Sequence, residues 1–138
     1  MGHRRSFIYF KTNGVLIQMV QIFRASQSDE IGKKGYTARY VADVKFRRNL
    51  DSGGFILVTV AAGTRTEPHK HSELEEVFVI LTELKMHIDS TVFDLEKGDV
   101  VLVAPNESHS FEALAHSPAD IIAIKFPNLK SDRSSMDN

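Results

Sequence analysis

Residues 63–81 read GTRTEPHKHSELEEVFVIL, and their pattern sets the architecture of the chain. His69 and His71 stand two apart, so in an extended segment both side chains project to the same face. Glu76 lies across a short turn, Ser72 to Glu75, at the start of the next extended run. If Glu76 points inward, alternation carries Phe78 and Ile80 inward with it. Two imidazoles and a carboxylate then meet at the mouth of an apolar cavity. Glu75 competes for the inward place, but the strand register favours Glu76. Val77 to Leu81 contains no polar residue, as expected of a strand buried on both faces.

Outward from this stretch the chain is a succession of short strand-like runs separated by turn residues, the pattern of an all-β sandwich or barrel. Ser6 to Phe10 and Val15 to Phe23 flank Asn13-Gly14, a favoured hairpin turn, and the first run is expected to cover a sheet edge. Phe55 to Ala62 is bounded by glycines. Leu84, Met86 and Ile88 alternate with Lys85, His87 and Asp89. Ser90-Thr91 turns into Val92 to Leu95, and Val100 to Val103 follows Lys97-Gly98-Asp99. His109 opens a further run after a proline turn, with Phe111 on its own face, and Ile121 to Phe126 is the last strong run. Ser26 to Lys34 reads as a loop or one short helix. No internal repeat or domain-sized linker interrupts the pattern, so one domain is expected over residues 1–127, hairpin included. Residues 128–138 form a polar tail expected to fray. Met19, inside the second run, leaves open an alternative start.

Composition bounds the function. The 138 residues are 42% hydrophobic and 25% charged with a formal net charge of -1, ordinary values for a globular domain. The charge balance gives no case for nucleic acid or an anionic membrane surface as a partner. Cysteine is absent, which excludes disulfides, thiolate metal sites and cysteine nucleophiles. No apolar run approaches the roughly 18 residues of a membrane span. His3, Arg4 and Arg5 precede an apolar stretch, but Lys11 and Thr12-Asn13-Gly14 interrupt it and no small-residue cleavage site follows. A cytoplasmic protein is expected. Val77 to Leu81 and Val100 to Val103 both need a cover on their second face, from the N-terminal hairpin or a second subunit, and a homodimer is the expectation.

At this point the sequence resembles the cupin superfamily. Its first motif runs from a glycine through His-x-His to a glutamate, and Gly63, His69, His71 and Glu76 match in order and spacing. Its second motif runs from a glycine through a tight turn to a histidine, matched by Gly98 and His109. Glu83 stands where the first motif ends in glycine. Ala104, Asn106 and Ala113 replace the proline, glycine and asparagine of the second. Pro105 and Asn106 keep the chemistry of a tight turn, because asparagine tolerates positive φ. The resemblance implies a single cupin-type double-stranded β-helix, a jelly-roll barrel. It also implies one divalent metal ion held by His69, His71, Glu76 and His109.

Three imidazoles and one carboxylate suit iron, manganese, nickel, copper or zinc and leave a six-coordinate ion two free positions. The expected function is a metal-dependent enzyme acting on a small molecule, of dioxygenase or isomerase type. A non-catalytic module that binds a small ligand is the alternative. Arg65 and Glu67 share parity with the two histidines and read either as cavity-mouth groups or as solvated loop charges. Phe78, Ile80 and Phe111 read as pocket lining or plain core. His3, His87 and His116 lack a partner pattern and are taken as surface residues.

Overall fold

The computed structural model describes residues 5–12, 15–46 and 49–135. Its strands follow the runs of β-branched and aromatic residues in chain order. They are β1 (Arg5–Thr12), β2 (Val15–Phe23), β3 (Asp29–Lys33), β4 (Tyr36–Tyr40), β5 (Gly54–Val60), β6 (His69–Lys70) and β7 (Glu75–Ile80). After these come β8 (Leu84–Ile88), β9 (Thr91–Leu95), β10 (Val100–Val103), β11 (His109–Ala113), β12 (Ala119–Phe126) and β13 (Ser134–Ser135). A six-stranded sheet has the order β1-β2-β10-β7-β12-β5, a five-stranded sheet β13-β6-β11-β8-β9, and β3 and β4 form a separate hairpin. Every pairing is antiparallel.

The two larger sheets pack through the residues that alternation turns inward. Phe78 and Ile80 of β7, Val101 and Val103 of β10, and Ile121 and Ala123 of β12 form one side of the core. Leu84, Met86 and Ile88 of β8 with Phe111 and Ala113 of β11 form the other. The clean alternation read over residues 84–89 is therefore that of a half-buried strand. The expected all-β jelly-roll architecture is present, with one correction: the barrel is not closed. The sheets remain separately hydrogen-bonded because the chain crosses between them in short turns, such as Gly63 to Thr66, which add a few bonds rather than a continuous ladder.

The hairpin of β1 and β2 extends the first sheet, with Val101 opposite Ile22, and so covers the edge that β10 would present. Its Asn13-Gly14 turn lies outside the described residues. Val77 and Leu102, on the second faces of β7 and β10, are buried, as are Phe23 and Leu74. The cover is supplied within one chain. Among the described residues the most exposed large apolar side chains are Phe55 and Leu57 on the edge strand β5, at 74% and 81%.

Two segments differ from the sequence reading. Ser26 to Lys34 is neither a plain loop nor an α-helix: a short 3-10 turn at Ala25–Gln27 leads into β3, which pairs with β4. Among the described side chains the β3-β4 hairpin has no buried residue, so nothing ties its sequence (DEIGK, YTARY) to a core face. The polar tail does not fray over its described part. Ser134 and Ser135 pair with Lys70 and His69, which places the C-terminal segment against the first histidine.

Candidate metal centre

Backbone geometry delivers the four motif side chains to one place. Gly63 has φ +69°, a conformation that favours glycine, and its N–H donates to the Leu114 carbonyl at 2.8 Å. Thr66 N–H donates to the Phe111 carbonyl at 2.8 Å, so residues 63–66 run beside β11 and lead into β6. His69 then lies directly opposite His109 in the register. Gly98, at φ +90°, opens the turn into β10, and a Cβ there would stand 3.0 Å from the Ala25 Cβ. The Pro105-Asn106 turn behaves as its residues require: Asn106 takes φ +69° and its N–H donates to the His71 carbonyl at 2.6 Å.

One ligand atom from each of His69, His71, Glu76 and His109 lies within 4.8 Å of the others. The imidazole centroids are 4.4 Å apart for His69 and His109, 5.1 Å for His69 and His71, and 5.5 Å for His71 and His109. Glu76 occupies the inward face of β7 with Phe78 and Ile80. Glu75 is buried on the other face and is not part of the cluster. His109 packs on Phe78 at 5.4 Å, and Phe78 meets Phe111 edge-on at 4.9 Å.

Hydrogen bonds fix two of the rings. His109 donates from Nδ1 to the Glu107 carbonyl at 3.1 Å, and His71 donates from Nδ1 to the Asp132 carbonyl. In the neutral tautomer each ring then turns a bare Nε2 lone pair inward. Those two nitrogens face Glu76 Oε1, His71 at 3.1 Å and His109 at 3.3 Å. Together with His69 Nδ1 they are buried polar atoms without a hydrogen-bond partner. Acceptors crowded against acceptors in a buried site are costly unless a proton or cation sits among them. Two donors bound to one ion at about 2.1 Å stand about 3.0–3.4 Å apart, so these separations fit a shared metal ion.

The electrostatics agree. Burial opposes ionisation of Glu76, but the facing rings of His109 and His71 outweigh it and hold the carboxyl at about 2. Burial pushes His69 down to about 4, assisted by the charges of His109, Arg133 and His71. His71 is also pushed down by burial, yet Glu76 and the Asp132 carbonyl overcome this and leave it above its ordinary value. The cluster therefore holds one anionic ligand and a ring that already attracts positive charge.

A cavity of about 260 Å³ opens beside the cluster, with Phe78, Phe111, Ile56 and Val58 among its apolar walls. Glu67 lines it, whereas Arg65 turns away to Ser110 Oγ at 3.3 Å and Ile80 belongs to the core. A larger concavity at Asn49 to Ser52, Pro127 and Leu129 carries one acid, Asp51, and no imidazole. His116 is exposed, as expected. His87 is partly buried and faces Glu112 at 3.2 Å, a correction to its reading as a surface residue. His3 lies outside the described residues.

Lys125, Asp132 and Arg133 were not singled out by the sequence reading. Lys125 continues the inward parity of Ala119, Ile121 and Ala123 and pairs in register with Glu76, so a charge at an inward position was a readable signal. Asp132 and Arg133 sit in a polar segment without periodicity. The Asp132 carboxylate accepts bonds from Ser72 N–H at 2.9 Å, Ser72 Oγ at 2.7 Å, Glu73 N–H at 2.9 Å and Leu74 N–H at 3.1 Å. It thereby clamps the turn between His71 and Glu76.

Residues 56–125 match the family described as the cupin domain. An uncharacterised protein of Methanocaldococcus jannaschii is 32% identical over 69 residues, which are 49% of this chain and 55% of that protein. The chain thus spans little more than half the length of this curated relative. Among solved structures, a cupin protein from Bacteroides fragilis superposes with TM-score 0.53 at 24% identity, over 64% of this chain and 78% of that one. A dTDP sugar isomerase from Desulfovibrio desulfuricans superposes with TM-score 0.61 at 11% identity, over 84% and 82%. At these identities the structural likeness speaks for the fold.

Proposed function

The chain belongs to the cupin family, and we propose that His69, His71, Glu76 and His109 hold one divalent transition metal ion in an enzyme acting on a small molecule. Supporting this is the convergence of four buried donors that lack hydrogen-bond partners. The absence of thiolate makes iron, manganese, nickel, copper or zinc the candidates. Bound there, such an ion supplies Lewis-acid or redox chemistry of the kind used in oxidation by dioxygen or in isomerisation. The chain's residues do the rest. Carbonyls of Glu107 and Asp132 orient two imidazoles, a role that keeps ligand nitrogens aimed inward. Phe78 and Phe111 exclude water from one wall. Glu67, which lines the cavity, would be the proton acceptor for a bound molecule.

Oxygen uptake and product formation by the metal-loaded protein across a broad compound panel test this reading. Turnover lost in His109→Ala supports an enzyme. Ligand-induced thermal stabilisation without any turnover favours the alternative, a non-catalytic binding module.

We also propose a homodimer, supported by the exposed Phe55 and Leu57 on the edge strand β5. Sedimentation at micromolar concentration showing only monomer would count against it.

A further inference from the structure

The cavity beside the metal cluster carries two positive charges that no described residue pairs with. Lys125 and Arg133 both line it, and among the described residues neither side chain makes an ion pair or a hydrogen bond. Lys125 is the more informative of the two. It follows Ala119, Ile121 and Ala123 on the inward face of β12, all of them buried, and ends that row where the sheet reaches the cavity. Its register partner is Glu76, yet no ion pair joins them. A half-buried ammonium beside an apolar wall loses hydration, a cost recovered when a counter-ion sits against it.

Arg133, an exposed residue of the C-terminal segment, lines the same cavity. The β13 pairing with β6 and the grip of Asp132 on residues 72–74 hold the C-terminal segment there. Outside the metal ligands the cavity lining holds Lys125, Arg133 and one acid, Glu67, which leaves one positive charge in excess. That excess matches a monoanion. The apolar walls match an organic body, and about 260 Å³ lies below the roughly 300–1,000 Å³ of pockets that take drug-sized ligands.

We propose that Lys125 and Arg133 form an anion-recognition subsite beside the metal centre, selecting a small organic molecule that carries a carboxylate on an apolar body. The ammonium supplies a point charge and the guanidinium a planar fork suited to a carboxylate. This rests on reading the cluster as a metal centre, which marks where the reacting end of the molecule lies.

The test is calorimetric titration of metal-reconstituted protein with acetate, butyrate and benzoate, each beside its neutral amide of the same shape. At least one carboxylate, benzoate foremost, is expected to bind about tenfold or more tightly than its amide. Lys125→Met and Arg133→Met are each expected to lose about tenfold, and Lys125→Arg to restore most of the affinity. Metal content, measured in every variant, is expected to stay at the wild-type level. Equal binding of acid and amide, no binding of any carboxylate, or variants that bind as wild type would overturn the subsite. Carboxylate preference in protein that takes up no metal would instead sink the metal centre and leave the subsite standing.

Discussion

Replacing Asp132 by alanine removes a clamp that no strand pattern announces. Its carboxylate accepts four hydrogen bonds, at 2.7, 2.9, 2.9 and 3.1 Å, from the Ser72 hydroxyl and the amides of Ser72, Glu73 and Leu74. Bonds to a buried charge are worth about 1.5–3 kcal/mol each, but Asp132 is partly exposed and water replaces much of what is lost. The closer comparison is loss of a helix-capping carboxylate, about 0.5–2 kcal/mol. With several amides released at once, about 1–2 kcal/mol is expected, a fall in Tm of about 3–8 °C for a chain of this size. Circular dichroism melting of the metal-free protein measures it. The dependence on pH is a second check. Burial opposes the charge of Asp132, but the Ser72 hydroxyl and the three amides outweigh it and hold the carboxyl well below its ordinary 3.8. A depressed folded-state pKa stabilises fully above the unfolded value and loses that effect as acid is added. The gap between wild type and Asp132→Ala therefore stays constant above pH 3.8 and narrows below it. An unchanged Tm in the variant, or a gap that widens in acid, would refute the docking of the C-terminal segment.

Gly98→Ala is expected to cost about 1–2 kcal/mol in urea denaturation, because φ +90° disfavours any side chain and the new Cβ meets Ala25 at 3.0 Å. Phe78→Ala empties a site only 2% exposed and is expected to cost about 3–5 kcal/mol by the same assay, and it removes the ring against which His109 packs. Metal affinity, followed by competition with a chelator, is expected to fall on acidification. The decline begins above pH 6.5, because His71 holds its proton above that ordinary value, while His69 stays neutral down to about 4.

The sequence carried most of this structure where burial imposes a period. Val15–Phe23 and Val100–Val103 are strands with the bounds that were read from them, and Leu84 to Ile88 alternates because one face meets the core. Choosing Glu76 over Glu75 needed only the parity shared with Phe78 and Ile80. The β3-β4 hairpin was hidden because its exposed strands are under no such constraint. β6 is two residues long, too short to show alternation at all. The C-terminal segment was missed for another reason: its hold depends on the charge and carbonyl of Asp132 meeting a turn sixty residues away. The second-face burial of β7 and β10 was legible, but not that a single chain supplies the cover.

Elemental analysis of protein purified without chelators, beside the His69→Ala/His109→Ala double variant, tests the metal centre most directly. About one iron, manganese, nickel, copper or zinc ion per chain in the wild type, and none in the variant, is the predicted result. Little metal in either, with no uptake on reconstitution, would contradict it.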